Sequence, residues 1–199
     1  MRITRRDELI FITVKPGEYY VSKEDVVIST LLGSCVSACL YDPVKRIVGM
    51  NHFLLSNKRY ARRMPYYETE AGRYGVHSME MLINEMMKMG ARREHLRAKA
   101  FGGASLLNSS KDKDNFSCVG SVNAKFIREF LINEGIPLVS SDLEGDKGRV
   151  IRFHARDYSV YVRKIRKTMN PRLGLKEKRY WRRTIETQEQ KIVKPDIWG

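Results

Sequence analysis

The chain has no apolar run approaching the ~20 residues that a membrane-crossing helix needs, so a soluble protein is expected. Cysteine is scarce. There are three, an odd number, with no CxxC pair and no signal-peptide pattern, which excludes a disulfide framework and points to a reducing cytosol. Histidine is nearly as rare, and His77 and His95 have no ligand-spaced partners among Cys, His, Asp or Glu, so no metal is expected. The one glycine pair, Gly102 and Gly103, is followed by no Lys-Ser or Lys-Thr, and the dinucleotide-binding glycine spacing is missing. No cofactor is therefore expected. Acidic residues are also short, 23 against 37 Lys and Arg, giving a formal charge of +14. That excess is uneven. Residues 163–183 hold ten cations against Glu177 alone, so +9 of the +14 sits there. Charge is the one feature suggesting a nucleic-acid partner, and no stacking-spaced aromatics lie on a basic strand pattern, so none is expected.

What is present is a globular composition, 42% hydrophobic, and a length that suits one domain of about 160 residues plus an extension. The expected division is residues 1–165 as the domain and 166–199 as a basic C-terminal extension. Strands are expected at 9–14, 18–21, 26–32, 36–41, 46–55 and 98–101, from β-branched or apolar runs bounded by turn residues. A meander of three more is expected at 137–143, 149–154 and 159–165. Apolar stripes at helical spacing predict two main helices, 74–88 ending at Gly90 and 123–134 ending at Gly135. The fold class is thus α/β, a layered sandwich of mostly antiparallel sheets with two main helices. The stretch 56–75, with basic residues among Tyr60, Tyr66 and Tyr67, reads as a lid or substrate rim, or equally as a solvated loop.

One stretch carries chemistry. Gly33 and Ser34 make a bend that exposes backbone N–H groups and the side chain that follows, Cys35. If residues 42–45 form a four-residue hairpin loop, Tyr41 faces Arg46 and Cys35 lies directly opposite His52. A thiol beside an imidazole is the pairing that nucleophilic catalysis requires, and Ser29 and Thr30 both offer a hydroxyl to orient the histidine. The N–H groups of Ser34 and Cys35 are the candidate oxyanion donors. Cys39 and Cys118 read as inert.

The motif Thr30-Leu31-Leu32-Gly33-Ser34-Cys35-Val36, then Asp42-Pro43, then Gly49-Met50-Asn51-His52-Phe53-Leu54-Leu55, resembles the chemoreceptor glutamine deamidase family, CheD. The resemblance continues through Arg73-Tyr74-Gly75-Val76-His77, residues 98–104 and Gly148-Arg149, covering roughly residues 10 to 165. It implies a cytoplasmic chemotaxis enzyme, acting beside membrane-bound receptors, that converts glutamines of receptor cytoplasmic helices to glutamate with a Cys, a His and a Thr. On that pattern Cys35 is the nucleophile, His52 the base and Thr30 the orienting hydroxyl. The same acyl-enzyme would also form from a glutamyl methyl ester. Arg73, Tyr74, His77, Gly102 and Gly103 fall in family motifs and are assigned to the substrate rim. A chemotaxis phosphatase of the CheC type is the implied partner, and a non-catalytic role as its docking partner and regulator is the alternative. The sequence departs from the family at Glu144, which replaces one glycine of a Gly-Gly turn. Residues 166–184, with Pro171, Gly174 and little apolar periodicity, are expected to lie outside the core.

Overall fold

The structure is a computed structural model that describes residues 1–6, 9–55, 70–106, 119–181 and 183. Of the stretch 56–75 expected as a lid, rim or solvated loop, residues 56–69 lie outside the described residues, as does Cys118, and residues 70–75 are helical. Among the described residues ten strands form two five-stranded sheets. The first runs β1 (Arg2–Arg6), β2 (Leu9–Thr13), β4 (Val26–Leu32), β9 (Arg149–His154), β10 (Val160–Lys164). The second runs β3 (Tyr19–Ser22), β6 (Ile47–Asn51), β5 (Val36–Asp42), β7 (Arg97–Gly102), β8 (Leu138–Leu143). Pairing is antiparallel except for β2 with β4 and β7 with β8. Helices α1 (Glu70–Lys88), α2 (Val119–Asn133) and α3 (Asn170–Trp181) complete the fold. No described helix is long and apolar enough to cross a membrane.

Two cores explain the layering. Ile12, Ile28, Met50, Ile151 and Phe153 pack between the sheets. Val36, Ala38, Leu40, Met79, Leu82, Phe126 and Phe130 pack between the second sheet and helices α1 and α2. Strand β5 therefore buries both faces, which is why it reads as a continuous apolar run.

Two expectations are corrected. The meander does not form, because the β7 strand, α2 and β8 make a crossover unit that lays β8 parallel to β7 in the second sheet, away from β9. The β5–β6 loop is residues 43–46, one residue later than expected, with Asp42 paired to Ile47 and Tyr41 to Val48. Asp42 ends the strand because its carboxylate accepts the N–H groups of Val44 (2.8 Å) and Lys45 (2.9 Å), making the turn from the strand side.

A third helix joins the two expected ones. Residues 170–181, expected outside the core, form α3, with Leu173 and Glu177 buried against the body. Pro171 sits in the first turn, where a proline costs no hydrogen bond. Glu144 takes φ 68°, the left-handed conformation a glycine would supply, ahead of Gly145 at 81°. Its turn therefore keeps a shape suited to glycine.

Candidate functional site

The bend after β4 is built by its neighbours. Gly103 N–H donates to the Cys35 carbonyl at 2.8 Å and Ala104 N–H to the Gly33 carbonyl at 2.7 Å. A Cβ on Gly102 would stand 2.1 Å from the Cys35 carbonyl oxygen, so only glycine lets β7 come this close. Gly102 and Gly103 are thus buried supports behind the bend and not part of its rim. From the helix side, Asn123 donates through Nδ2 to the Ser34 carbonyl (2.8 Å) and accepts through Oδ1 from Leu55 N–H (2.9 Å). One amide thereby ties the bend to the segment that follows His52.

Cys35 and His52 meet across this bend, with a geometry that differs from the expected one. The isolated bridge between Val36 and Phe53 continues the β5–β6 register and sets Ser37 opposite His52, leaving Cys35 on the diagonal. The loop moved every partner by two positions, an even number, so both side chains kept the same face. The Cys35 sulfur, a His52 ring nitrogen and a Glu177 oxygen all lie within 4.8 Å of one another, and all three residues are buried.

Thr30 reaches across from the other sheet. Its Oγ1 is 2.7 Å from the Val14 carbonyl and 2.7 Å from His52 Nδ1. A carbonyl only accepts, so the single hydroxyl proton goes to Val14, and Thr30 must accept from an Nδ1–H. That assigns the tautomer and leaves Nε2 bare. Nε2 is indeed buried, with no hydrogen-bond partner among the described residues. Ser29 turns the other way, donating to the Ile12 carbonyl at 3.2 Å.

The third member of the cluster comes from α3. Glu177 accepts from Gly33 N–H, Ser34 N–H and the Ser34 hydroxyl, each at 2.7 Å. The donors that Glu177 takes are those of Gly33 and Ser34, so of the expected Ser34 and Cys35 pair it occupies Ser34. Burial pushes the Cys35 thiol well above its ordinary range, and the Glu177 charge adds to the shift. Burial lowers His52 to about 4. Burial raises Glu177, opposed by its hydrogen bonds from Ser34 and Gly33. The resting site thus holds a neutral thiol and a neutral imidazole, with the Glu177 carboxyl seated on N–H donors. Cys35, His52 and Glu177 also have metal-ligand chemistry. The carboxyl oxygens already accept from the Gly33 and Ser34 N–H groups and the Ser34 hydroxyl, and the Cys35 thiol also hydrogen-bonds to Glu177, a pattern that a hydrogen-bonded acid explains without a coordination sphere.

A cleft of about 390 Å³ leads to His52, walled by Val14, Pro16 and Thr30 on one side and by Leu173, Lys176 and Tyr180 of α3 on the other. Of the expected rim residues, Tyr74 is half-buried and packs in the core, with the Tyr180 hydroxyl as a neighbour. His77 is exposed on α1, and the Arg73 side chain lies outside the described residues. Cys39 is buried between the sheets.

Two residues that shape the site were missed from sequence. Asn123 is a polar residue on an otherwise apolar helix stripe, and Glu177 is the lone acid among ten cations. Both signals were visible as exceptions to a pattern.

The CheD family model, described as CheD chemotactic sensory transduction, matches residues 55–164. A protein of Geobacter sulfurreducens named "Probable chemoreceptor glutamine deamidase CheD 1" is 56% identical over 198 residues, covering 100% of this chain and 98% of that one. A Shewanella oneidensis protein named "Probable chemoreceptor glutamine deamidase CheD 2" is 44% identical over 192 residues, 94% of each chain. Among solved structures, the Bacillus licheniformis hypothetical protein YfiH aligns at TM-score 0.35 and 15% identity over 64% of this chain and 49% of that one, too slight a likeness to carry an argument. With a family model over more than half its length and relatives matched nearly end to end, this chain belongs to the CheD family.

Proposed function

We propose that the chain deamidates glutamine side chains on the cytoplasmic helices of chemoreceptors, and that Cys35, His52 and Thr30 carry the reaction. The observation that supports this most is a buried thiol beside an imidazole whose Nδ1 is held by Thr30 and whose Nε2 has no hydrogen-bond partner among the described residues. His52 Nε2 takes the thiol proton as the Cys35 sulfur attacks the carboxamide carbon. The amide oxygen becomes an oxyanion held by N–H groups of the bend. The imidazolium returns its proton to the amide nitrogen, the C–N bond breaks and ammonia leaves a thioester. Water, deprotonated by His52, attacks that thioester, and the sulfur departs to regain its proton. The products are glutamate and ammonia. A glutamyl methyl ester would enter the same acyl-enzyme with methanol as the leaving group. The family pattern also implies docking to a chemotaxis phosphatase of the CheC type, which is compatible with catalysis by a buried site.

Incubating the chain with receptor cytoplasmic fragments and following ammonia release and the amide-to-acid mass change tests the reading. Cys35→Ala and His52→Ala should each lose ~2 to 4 orders of magnitude in rate, and Cys39→Ala should stay near wild type. Near-normal turnover in either of the first two would overturn the assignment.

A further inference from the structure

We infer that α3 lies in the groove that receives the substrate helix, with Glu177 as a tethered copy of the deamidated product. The inference rests on the deamidase reading and adds to it where the substrate helix sits and what occupies that place at rest.

The chemistry of the match is close. The proposed product is a glutamate side chain projecting from a helix, and Glu177 projects from a twelve-residue helix onto the bend beside Cys35. Its carboxylate takes the Gly33 and Ser34 N–H groups and the Ser34 hydroxyl, the donors best placed for the oxygen of a bound carboxamide. A glutamate in a strongly basic segment would ordinarily pair with a cation. None of the ion pairs among the described residues includes Glu177. The site takes it as an acyl group, through backbone donors next to a nucleophile.

The helix is also seated along its length. Asn170 accepts from Gly148 N–H at 3.2 Å and donates to the Asp146 carbonyl at 2.7 Å. Leu173 packs so closely on Gly148 that a Cβ there would meet it at 2.7 Å. At the other end the Tyr180 hydroxyl would meet a Cβ on Gly17 at 2.4 Å. Leu173, Glu177 and Tyr180, spaced i, i+4, i+7, therefore form one face laid across the Gly148 turn, the bend and the Gly17 turn. A receptor helix offering a glutamine flanked at the same spacing would fit this face. It must first displace α3, which acts as a competitor at an effective concentration on the order of millimolar.

The test uses the full chain. In a Glu177→Gln variant the groove holds a carboxamide where the product acid sat. The enzyme should hydrolyse it: one water is consumed, ammonia is released, and position 177 returns to glutamate. Mass spectrometry of the peptide spanning residue 177 should find the acid in that variant and the amide in a Cys35→Ala, Glu177→Gln double variant. Glu177→Ala, with the competitor's anchor gone, should reach half-maximal rate at a concentration of receptor fragment lower by about tenfold. The amide persisting in a variant that still deamidates receptor fragments, or an unchanged KM in Glu177→Ala, overturns the inference and leaves the deamidase reading standing. If neither position 177 nor any receptor fragment is converted, both fall together.

Discussion

Thr30→Val keeps the volume and β-branching of the side chain and removes a single oxygen. That oxygen satisfies two buried groups at once, the Val14 carbonyl and the His52 Nδ1–H, each at 2.7 Å. Leaving a buried polar group unpaired costs about 1–3 kcal/mol, so two cost about 2–6, and the added methyl returns about 0.8. The midpoint of urea unfolding should therefore report a loss of about 1–5 kcal/mol. Catalysis should fall as well, because the tautomer with a bare Nε2 no longer has its Nδ1–H partner. A bias of about 1.4–3 kcal/mol lost from the competent tautomer corresponds to a roughly 10- to 100-fold drop in kcat. Nitrogen NMR of the imidazole should show a mixture of tautomers in place of one. Thr30→Ser, which keeps the oxygen, should recover most of the rate, and Ser29→Ala should change little because its hydroxyl faces Ile12. The reasoning fails if Thr30→Val keeps kcat within about twofold, or if Thr30→Ser is as impaired as the valine variant.

Asn123→Ala removes the partners of the Ser34 carbonyl and the Leu55 N–H together, so stability should drop by about 2–5 kcal/mol in urea titration; a shift below ~1 would show that the bend does not depend on this amide. The pH dependence follows from His52. Its folded-state value of about 4 lies below the ordinary 6.5, so between those values the unfolded chain binds the extra proton and stability falls as pH falls. The difference of about 2.5 pK units sets a ceiling of about 3 kcal/mol. Comparing wild type with His52→Gln from pH 7 down to 4.5 isolates this contribution from that of the carboxylates; parallel curves would refute it.

Much of this was legible in the sequence where one period dominated. The doubly buried β5, the β-branched and apolar run of β4 and the apolar stripes of α1 and α2 announced themselves, and the Gly33-Ser34-Cys35 bend stood out between two strands. The Cys35 and His52 neighbourhood survived a wrong loop assignment because the error was even and strand parity forgives even errors. Asp42 defeated the loop count by capping the turn from inside the strand. The course of β8 was hidden because a strand run does not name its sheet, and α2 carries it to the far side of β7. Helix α3 was illegible for a specific reason. Its buried face is Leu173, Glu177 and Tyr180, so a search for apolar periodicity meets a charge at its centre, although the spacing is regular.

The hydrogen bond between Thr30 and His52 joins a strand of the first sheet to the residue that directly follows β6 of the second. Its length is therefore a measure of the spacing between the two layers, and the alignment of the base works as a strain gauge on the core. A methyl group added or removed among Ile28, Met50 or Ile151, none of which belongs to the catalytic set, would widen or close that gap by a fraction of an ångström. The imidazole would register it. In such an arrangement the evolution of the interior and the evolution of turnover are mechanically linked, and drift in one is constrained by the other.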